Sequence, residues 1–120
     1  MLIDSNIIIY SFSDEYRYLR NLLVHEQANI SEISPVEVLG YHKLKDVERK
    51  YFSDIFTYTS TIIPNREIFD KAIEIRQQYN LNLGDSIIAA TALIYDLTVY
   101  TRNLKDFEHI KILRTINPVR

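Results

Sequence analysis

Hydrophobic positions along the chain change their period several times, and each change marks an element. Met1-Leu2-Ile3-Asp4 is a short apolar run closed by an acid, which predicts a buried strand. Ser5-Asn6 then opens a helical segment through Ile7-Ile8-Ile9-Tyr10. Asp14 to Val24 carries Tyr18, Leu19, Leu22 and Leu23 at helical spacing with charges between them, the pattern of an amphipathic surface helix. Ala28 to Ile33 alternates apolar and polar residues and predicts a second strand. From Val38 to Tyr58 the period is helical but interrupted by charges, which predicts two helices meeting near Lys45-Asp46. Thr59 to Ile63 is rich in β-branched residues and predicts a third strand, stopped by Pro64. Asn65 caps a helix from Arg66 to Tyr79, and Asn80 to Gly84 is a loop. Leu97 to Thr101 predicts a strand, Arg102 to Phe107 a polar turn or short helix, Ile110 to Leu113 a last short strand and Thr115 to Arg120 a tail.

One segment stands apart. From Ser86 to Ile94 the residues are small and apolar on nearly every helical face, so this helix is expected inside the domain rather than on its surface. Asp85 falls in its first turn, where unpaired N–H groups and the helix dipole favour a carboxylate. Strands alternating with helices predict an α/β fold, a three-layer α/β/α arrangement around a mostly parallel sheet of four or five short strands. Residues 1–120 are the size of one domain.

Composition narrows the classes. The chain has no cysteine, which removes disulfides, thiolate metal sites and cysteine nucleophiles. No apolar run approaches the roughly 20 residues needed to span a bilayer, and Met1 is not followed by a signal-type segment, so a soluble cytoplasmic protein without a membrane partner is expected. Fourteen Lys and Arg against 16 Asp and Glu give a net charge of -2, which argues against a general DNA coater. That balance misleads if several acids are gathered in one pocket, because the remaining surface is then mildly positive.

Four acidic positions invite that reading. Asp4 and the Asn103/Asp106 region follow strands at their carboxyl ends, while Glu37 and Asp85 lie in the first turns of helices. In a parallel α/β sheet these are the same edge, since each helix starts where a strand has just finished. Each acid also has a local reading: Asp4 as the N-cap of the first helix, Asp85 as a helix-start acid, and Glu37 as the last member of a Ser34-Pro35-Val36-Glu37 capping box, which spacing alone favours. Taken together they would repel, each close pair costing about 4 kcal/mol at about 4 Å for an effective dielectric near 20. No run of lysines or arginines is placed to neutralise them. A divalent cation is the economical answer, and all-oxygen ligands point to Mg²⁺ or Mn²⁺. His25, His42 and His109 lack metal-ligand spacing and are expected on the surface.

Leu2-Ile3-Asp4-Ser5-Asn6, Ser34-Pro35-Val36-Glu37, Leu83-Gly84-Asp85-Ser86-Ile87-Ile88-Ala89-Ala90-Thr91-Ala92 and Thr101-Arg102-Asn103-Leu104-Lys105-Asp106-Phe107 occur in the order and rough spacing of the PIN domain. Over essentially its whole length the chain resembles the single-domain VapC-type ribonuclease toxins of toxin–antitoxin pairs. The resemblance implies a metal-dependent endoribonuclease in which Asp4, Glu37 and Asp85 match the three acidic metal-site positions. At the fourth position many relatives carry an acid where this chain has Asn103; the next acid is Asp106, so either residue can complete the site. Ser5 and Thr101 match polar positions that can hydrogen-bond a ligand or an acid. One or two Mg²⁺ or Mn²⁺ ions at these residues would activate a water for in-line attack on an RNA phosphodiester, leaving a 5′-phosphate and a 3′-hydroxyl. Arg102, Lys105, Lys43 and Lys45 are candidate RNA backbone contacts. The resemblance further implies a homodimer and a cognate antitoxin, which in this family usually inserts a segment into the acidic cleft.

Two other classes compete. A PIN-like module that binds RNA or protein without cutting stays open because of Asn103. An aspartyl-phosphate site with Asp4 as nucleophile requires an adjacent second acid, and Leu2-Ile3-Asp4-Ser5-Asn6 has none.

Overall fold

The computed structural model describes residues 1–120. Five short strands, β1 (Leu2–Ile3), β2 (Asn29–Ser31), β3 (Ser60–Ile62), β4 (Val99–Tyr100) and β5 (Thr115–Ile116), form one sheet in the order β3-β2-β1-β4-β5. Every pairing is parallel, with Leu2 opposite Asn29 on one side and opposite Val99 on the other. The helices between them are α1 (Ser5–Ser11), a 3₁₀ segment over Asp14–Leu19 running into α2 (Arg20–Leu23), α3 (Ser34–Leu39), α4 (Asp46–Tyr58), α5 (Arg66–Gln78), α6 (Leu83–Tyr95) and α7 (Leu104–Phe107). This is the expected α/β/α sandwich with a five-stranded, wholly parallel sheet.

Strand alternation divides the core. Leu2 and Ile3 are both fully buried but project to opposite faces of the sheet. Leu2 joins a cluster with α5, α6, Val99, Phe107, Ile110 and Leu113, while Ile3 joins Ile7, Ile8, Leu19, Leu23, Ile30, Val38 and Phe52 on the other face. Seven consecutive residues of α6, Ser86 to Ala92, are buried. Such a helix needs its own polar groups answered: Thr91 Oγ1 donates to the Ile87 carbonyl at 2.7 Å and Ser86 Oγ to the Leu83 carbonyl at 2.6 Å.

Three local expectations change. The last strand is Thr115–Ile116, within the expected tail, and not Ile110–Leu113. An extended strand would turn Ile110 and Ile112 to one face; instead Ile110 and Leu113 are buried, Ile112 is 73% exposed, and the Ile110 and Leu113 amides donate to carbonyls three residues back. Arg114 then holds β5 in place, donating to the Asp96 side chain and carbonyl at 2.9 Å each and to Thr98 Oγ1 at 3.3 Å. Second, the surface helix over Asp14–Val24 starts as 3₁₀ and kinks at Tyr16, whose ring packs edge-on against Tyr10 at 5.1 Å. Third, Asn80–Gly84 is not all loop, because α6 begins at Leu83 behind an Asn82 cap.

Candidate active site

The order β3-β2-β1-β4-β5 reverses direction between β1 and β4, since the chain winds outward from β1 through β2 to β3 and then returns to build β4 and β5 on the other side. Crevices in doubly wound sheets open beyond the strand carboxyl ends at such a reversal. Asp4 leaves β1 there and Thr101 leaves β4 there. The two residues, 97 apart in sequence, are joined by a 2.9 Å bond in which Thr101 Oγ1 donates to Asp4 Oδ2.

Asp4 is 5% exposed and Thr101 fully buried. The Ser5 amide donates to Asp4 Oδ1 at 2.8 Å, so the local reading of Asp4 as the cap of α1 holds, and the same carboxylate is tied to the end of β4 through Thr101.

Ser34-Pro35-Val36-Glu37 behaves differently from a capping box. Ser34 is inside α3 and the N-cap is Ile33, with no side-chain cap bond. Ser34 Oγ is fully buried at 2.9 Å from Ser5 Oγ, and Ser5 Oγ donates to Glu37 Oε1 at 2.7 Å. Glu37, although exposed, thereby bonds across to α1 rather than back to its own backbone. On the α6 side it meets Gly84, where an added Cβ would lie 2.8 Å from Glu37 Oε2. Glycine at this position makes room for the carboxylate beside Asp85.

At the start of α6, Asn82 Oδ1 accepts from the Asp85 amide at 2.7 Å, which leaves the Asp85 carboxylate free of capping duty. Its pKa is pushed up to about 6, first by burial and then by the charges of Asp4, Asp106 and Glu37, against the lowering effect of the Asn82 side chain. Asp4 is raised as well, chiefly by burial, against the lowering effect of the Thr101 and Ser5 hydrogen bonds, with Glu37 and Asp106 adding repulsion. The acids from four separate segments thus share one electrostatic field. The ion pairs of the chain, Arg17–Asp14, Lys50–Asp54, Arg66–Asp70, Lys71–Glu74 and Arg114–Asp96, all lie elsewhere.

Asp106 is exposed and lies on α7, and it lines two concavities with Lys105, one of them also bordered by Arg102 and Asn103. Asn103 is the N-cap position of α7, and its amide donates to Thr101 Oγ1 at 3.0 Å. The Arg102 guanidinium lies over the Tyr10 ring at 4.6 Å. Lys43 and Lys45 are exposed in the segment joining α3 to α4, whose Tyr41 and Leu44 line a concavity that Glu37 borders. All three histidines are exposed.

Repelling, partly desolvated carboxylates without a basic partner are the donor set a hard divalent cation fits. As placed, no group of three or more acidic or histidine side chains closes into a ligand set for one ion. Three participants were not assigned from sequence: Asn6, Ser34 and Gly84. Asn6 stands in the Leu2-Ile3-Asp4-Ser5-Asn6 stretch and Gly84 directly before Asp85, so both were within motifs already read; apart from the Asn6 contact with Asp4, what their side chains or lack of one would meet lies 29 to 96 residues away.

The fold and these neighbouring acids define a class, a doubly wound parallel α/β domain with carboxylates gathered beyond the carboxyl ends of its strands. The chain belongs to the PIN domain family, which residues 1–113 match. It is 28% identical over 103 residues to a protein named Ribonuclease VapC from Rickettsia bellii, covering 77% of each chain. A toxin–antitoxin complex from Klebsiella pneumoniae contains a chain of similar structure, with a TM-score of 0.81, 30% identity and coverage of 99% of this chain and 98% of that one. VapBC2 from Rickettsia felis, solved bound to a DNA fragment from its promoter, shares the fold at a TM-score of 0.79 and 22% identity, covering 97% and 96%.

Proposed function

We propose that residues 1–120 act as one Mg²⁺- or Mn²⁺-dependent endoribonuclease domain, the toxin of a toxin–antitoxin pair, working in the cytoplasm. The observation that supports this reading is that Asp4, Glu37 and Asp85 come from three segments close enough for their charges to act on one another, and that none is in an ion pair with a Lys or Arg. The names of the relatives support the ribonuclease and toxin assignments.

Asp4 and Asp85 would hold the cation directly, with Glu37 binding it directly or through water. When bound there, a divalent cation would supply Lewis-acid charge for phosphodiester hydrolysis. The chain's own residues do the rest. Thr101 and the Ser5 amide fix the Asp4 carboxylate, and Ser5 Oγ fixes Glu37. Asn82 engages the Asp85 amide so that its carboxylate is available. Asp106 or Asn103 completes the site or orients the attacking water from the α7 side. Arg102 and Lys105, beside Asp106, and Lys43 and Lys45, near Glu37, would contact RNA phosphates on the two flanks. The expected products carry 5′-phosphate and 3′-hydroxyl ends.

An antitoxin partner is supported by a concavity of about 230 Å³ next to Glu37, lined by Ile9, Val38, Tyr41, Leu44 and Phe52 with Glu48 at its border. Apolar walls beside two carboxylates suit a segment carrying apolar anchors and an arginine. Association of two copies is part of the same proposal.

The test is cleavage of single-stranded and structured RNA by purified protein with Mg²⁺, Mn²⁺ or chelator. Cleavage confined to the metal-containing reactions is expected; equal cleavage in chelator overturns the mechanism. Metal-independent RNA binding without cleavage in any condition favours the binding-module alternative. Co-purification with a small co-expressed partner, and a dimeric mass in solution, test the two assembly proposals.

A further inference from the structure

Asn6 lies two residues after Asp4, in the first turn of α1, and its side-chain amide is fully employed. One Nδ2 proton goes to Asp4 Oδ2 and the other to Thr101 Oγ1, both at 3.2 Å, while Oδ1 accepts from the Arg102 amide at 3.2 Å. The orientation is determined by its surroundings: with oxygen and nitrogen exchanged, Oδ1 would face a carboxylate and Nδ2 would face an N–H group. One side chain therefore joins the end of β1 to the segment after β4, across the point where the sheet reverses.

Lone-pair counting gives this junction a chemical consequence. Asp4 Oδ2 accepts from both Asn6 and Thr101, which uses its two lone-pair sites, whereas Oδ1 accepts only from the Ser5 amide. We infer that Asn6 is a positioning residue that, with Thr101, occupies Asp4 Oδ2, leaves Oδ1 as the oxygen available to a divalent cation, and anchors the Arg102–Asn103 backbone beside it. This inference rests on the proposed metal-dependent activity for its cation, but the anchoring of Arg102 does not.

Asn6→Ala in the full chain tests both halves. Native-state amide exchange of the metal-free protein should show the Arg102 and Asn103 amides losing threefold or more of their protection, while amides in α5 and α6 keep theirs. Mn²⁺ affinity, read by titration calorimetry, should fall about tenfold or more, as for other residues that orient a metal ligand, with the melting temperature changed by only a few degrees. In RNA cleavage the loss should fall on kcat rather than KM, since Asn6 is assigned no contact with RNA. Arg102 protection within twofold of the original overturns the anchor, and unchanged Mn²⁺ affinity overturns the positioning of Asp4. If Asn6→Ala does not fold, Asn6→Ser, which also removes the side-chain amide without adding a charge beside Asp4, carries the same test: Arg102 protection within twofold of the original in that variant overturns the anchor. Failure of the unsubstituted protein to bind Mn²⁺ would remove the proposed function and the Asp4 half of this inference, leaving the exchange result as the measure of the anchor.

Discussion

The starts of α3 and α6 lie on the same edge of the sheet, and each carries an acid in its first turn, yet they treat that acid in opposite ways. At α6 the cap is local: Asn82 takes the Asp85 amide, and the carboxylate three residues on is left for the crevice. At α3 a local cap was available in Ser34 and Glu37 and is not used, because both side chains are drawn to Ser5 on α1. Pro35 lowers the cost of this choice, having no N–H to satisfy. An acid can thus be released for chemistry either by giving its helix another cap or by holding the acid elsewhere with a stronger tertiary contact.

Asp4→Asn and Asp85→Asn separate the crevice from the scaffold most sharply. Each should reduce RNA cleavage by more than about 100-fold, by analogy with the loss of one preorganised charge-stabilising group, without unfolding the protein. Rates measured at saturating Mn²⁺ check this, and a variant that retains full activity removes its acid from the site.

Perturbing the α3 side comes next. Ser5→Ala frees Glu37, and Gly84→Ala places a methyl group within 2.8 Å of Glu37 Oε2, so the flexible carboxylate must move. About a 10-fold loss of metal affinity or activity is expected from each. Because alanine is the better helix former, Gly84→Ala should hold or raise thermal stability while lowering affinity. Parallel loss of both in Gly84→Ala would show a packing defect instead.

The charge of Asp85 gives a smaller, pH-dependent effect. With its folded pKa pushed up to about 6 from an ordinary 3.8, the native protein holds a proton that the unfolded chain has released. Its contribution to stability is therefore present at low pH and is lost as pH rises from about 4 to about 6. Since the group is only half buried, solvent screening reduces the effect to about 1 kcal/mol. In chelator at neutral pH, Asp85→Asn should be more stable than the unsubstituted chain by this amount, and Mg²⁺ or Mn²⁺ should raise the melting temperature of the unsubstituted chain alone. Urea denaturation at pH 4 and pH 7.5 measures the difference; identical shifts at both values contradict it.

The smallest contrast concerns the caps themselves. Asn82→Ala should cost about 1 kcal/mol through loss of the α6 cap. Glu37→Ala should cost no more than about 0.5 kcal/mol, since no cap depends on it. A loss of about 1 kcal/mol or more in denaturant titrations would restore the capping-box reading.

Most of this architecture is legible along the chain. The apolar run before Asp4, the all-apolar face of Ser86–Ile94 and the Asn65 cap each act through neighbours within a few residues, and the structure reproduces them. The α/β alternation then places Asp4, Glu37, Asp85 and the Asn103/Asp106 region at one edge before any coordinate is known. The misread elements are those with a competing distant partner: β5, which pairs through its backbone with Val99 to Thr101, and α3, whose cap yields to Ser5.

Hydrophobic period and local capping chemistry determined the layers, the parallel sheet and the list of acids, because these depend on spacing of a few residues. Which atoms of those acids are engaged, that Asn6 joins Asp4 to Arg102, and that Gly84 must lack a side chain were decided by the tertiary structure alone. The physical reason is range: a hydrogen bond spanning 32 or 97 residues leaves no periodic trace, since it depends on how two packed layers bring distant helix starts and strand ends together.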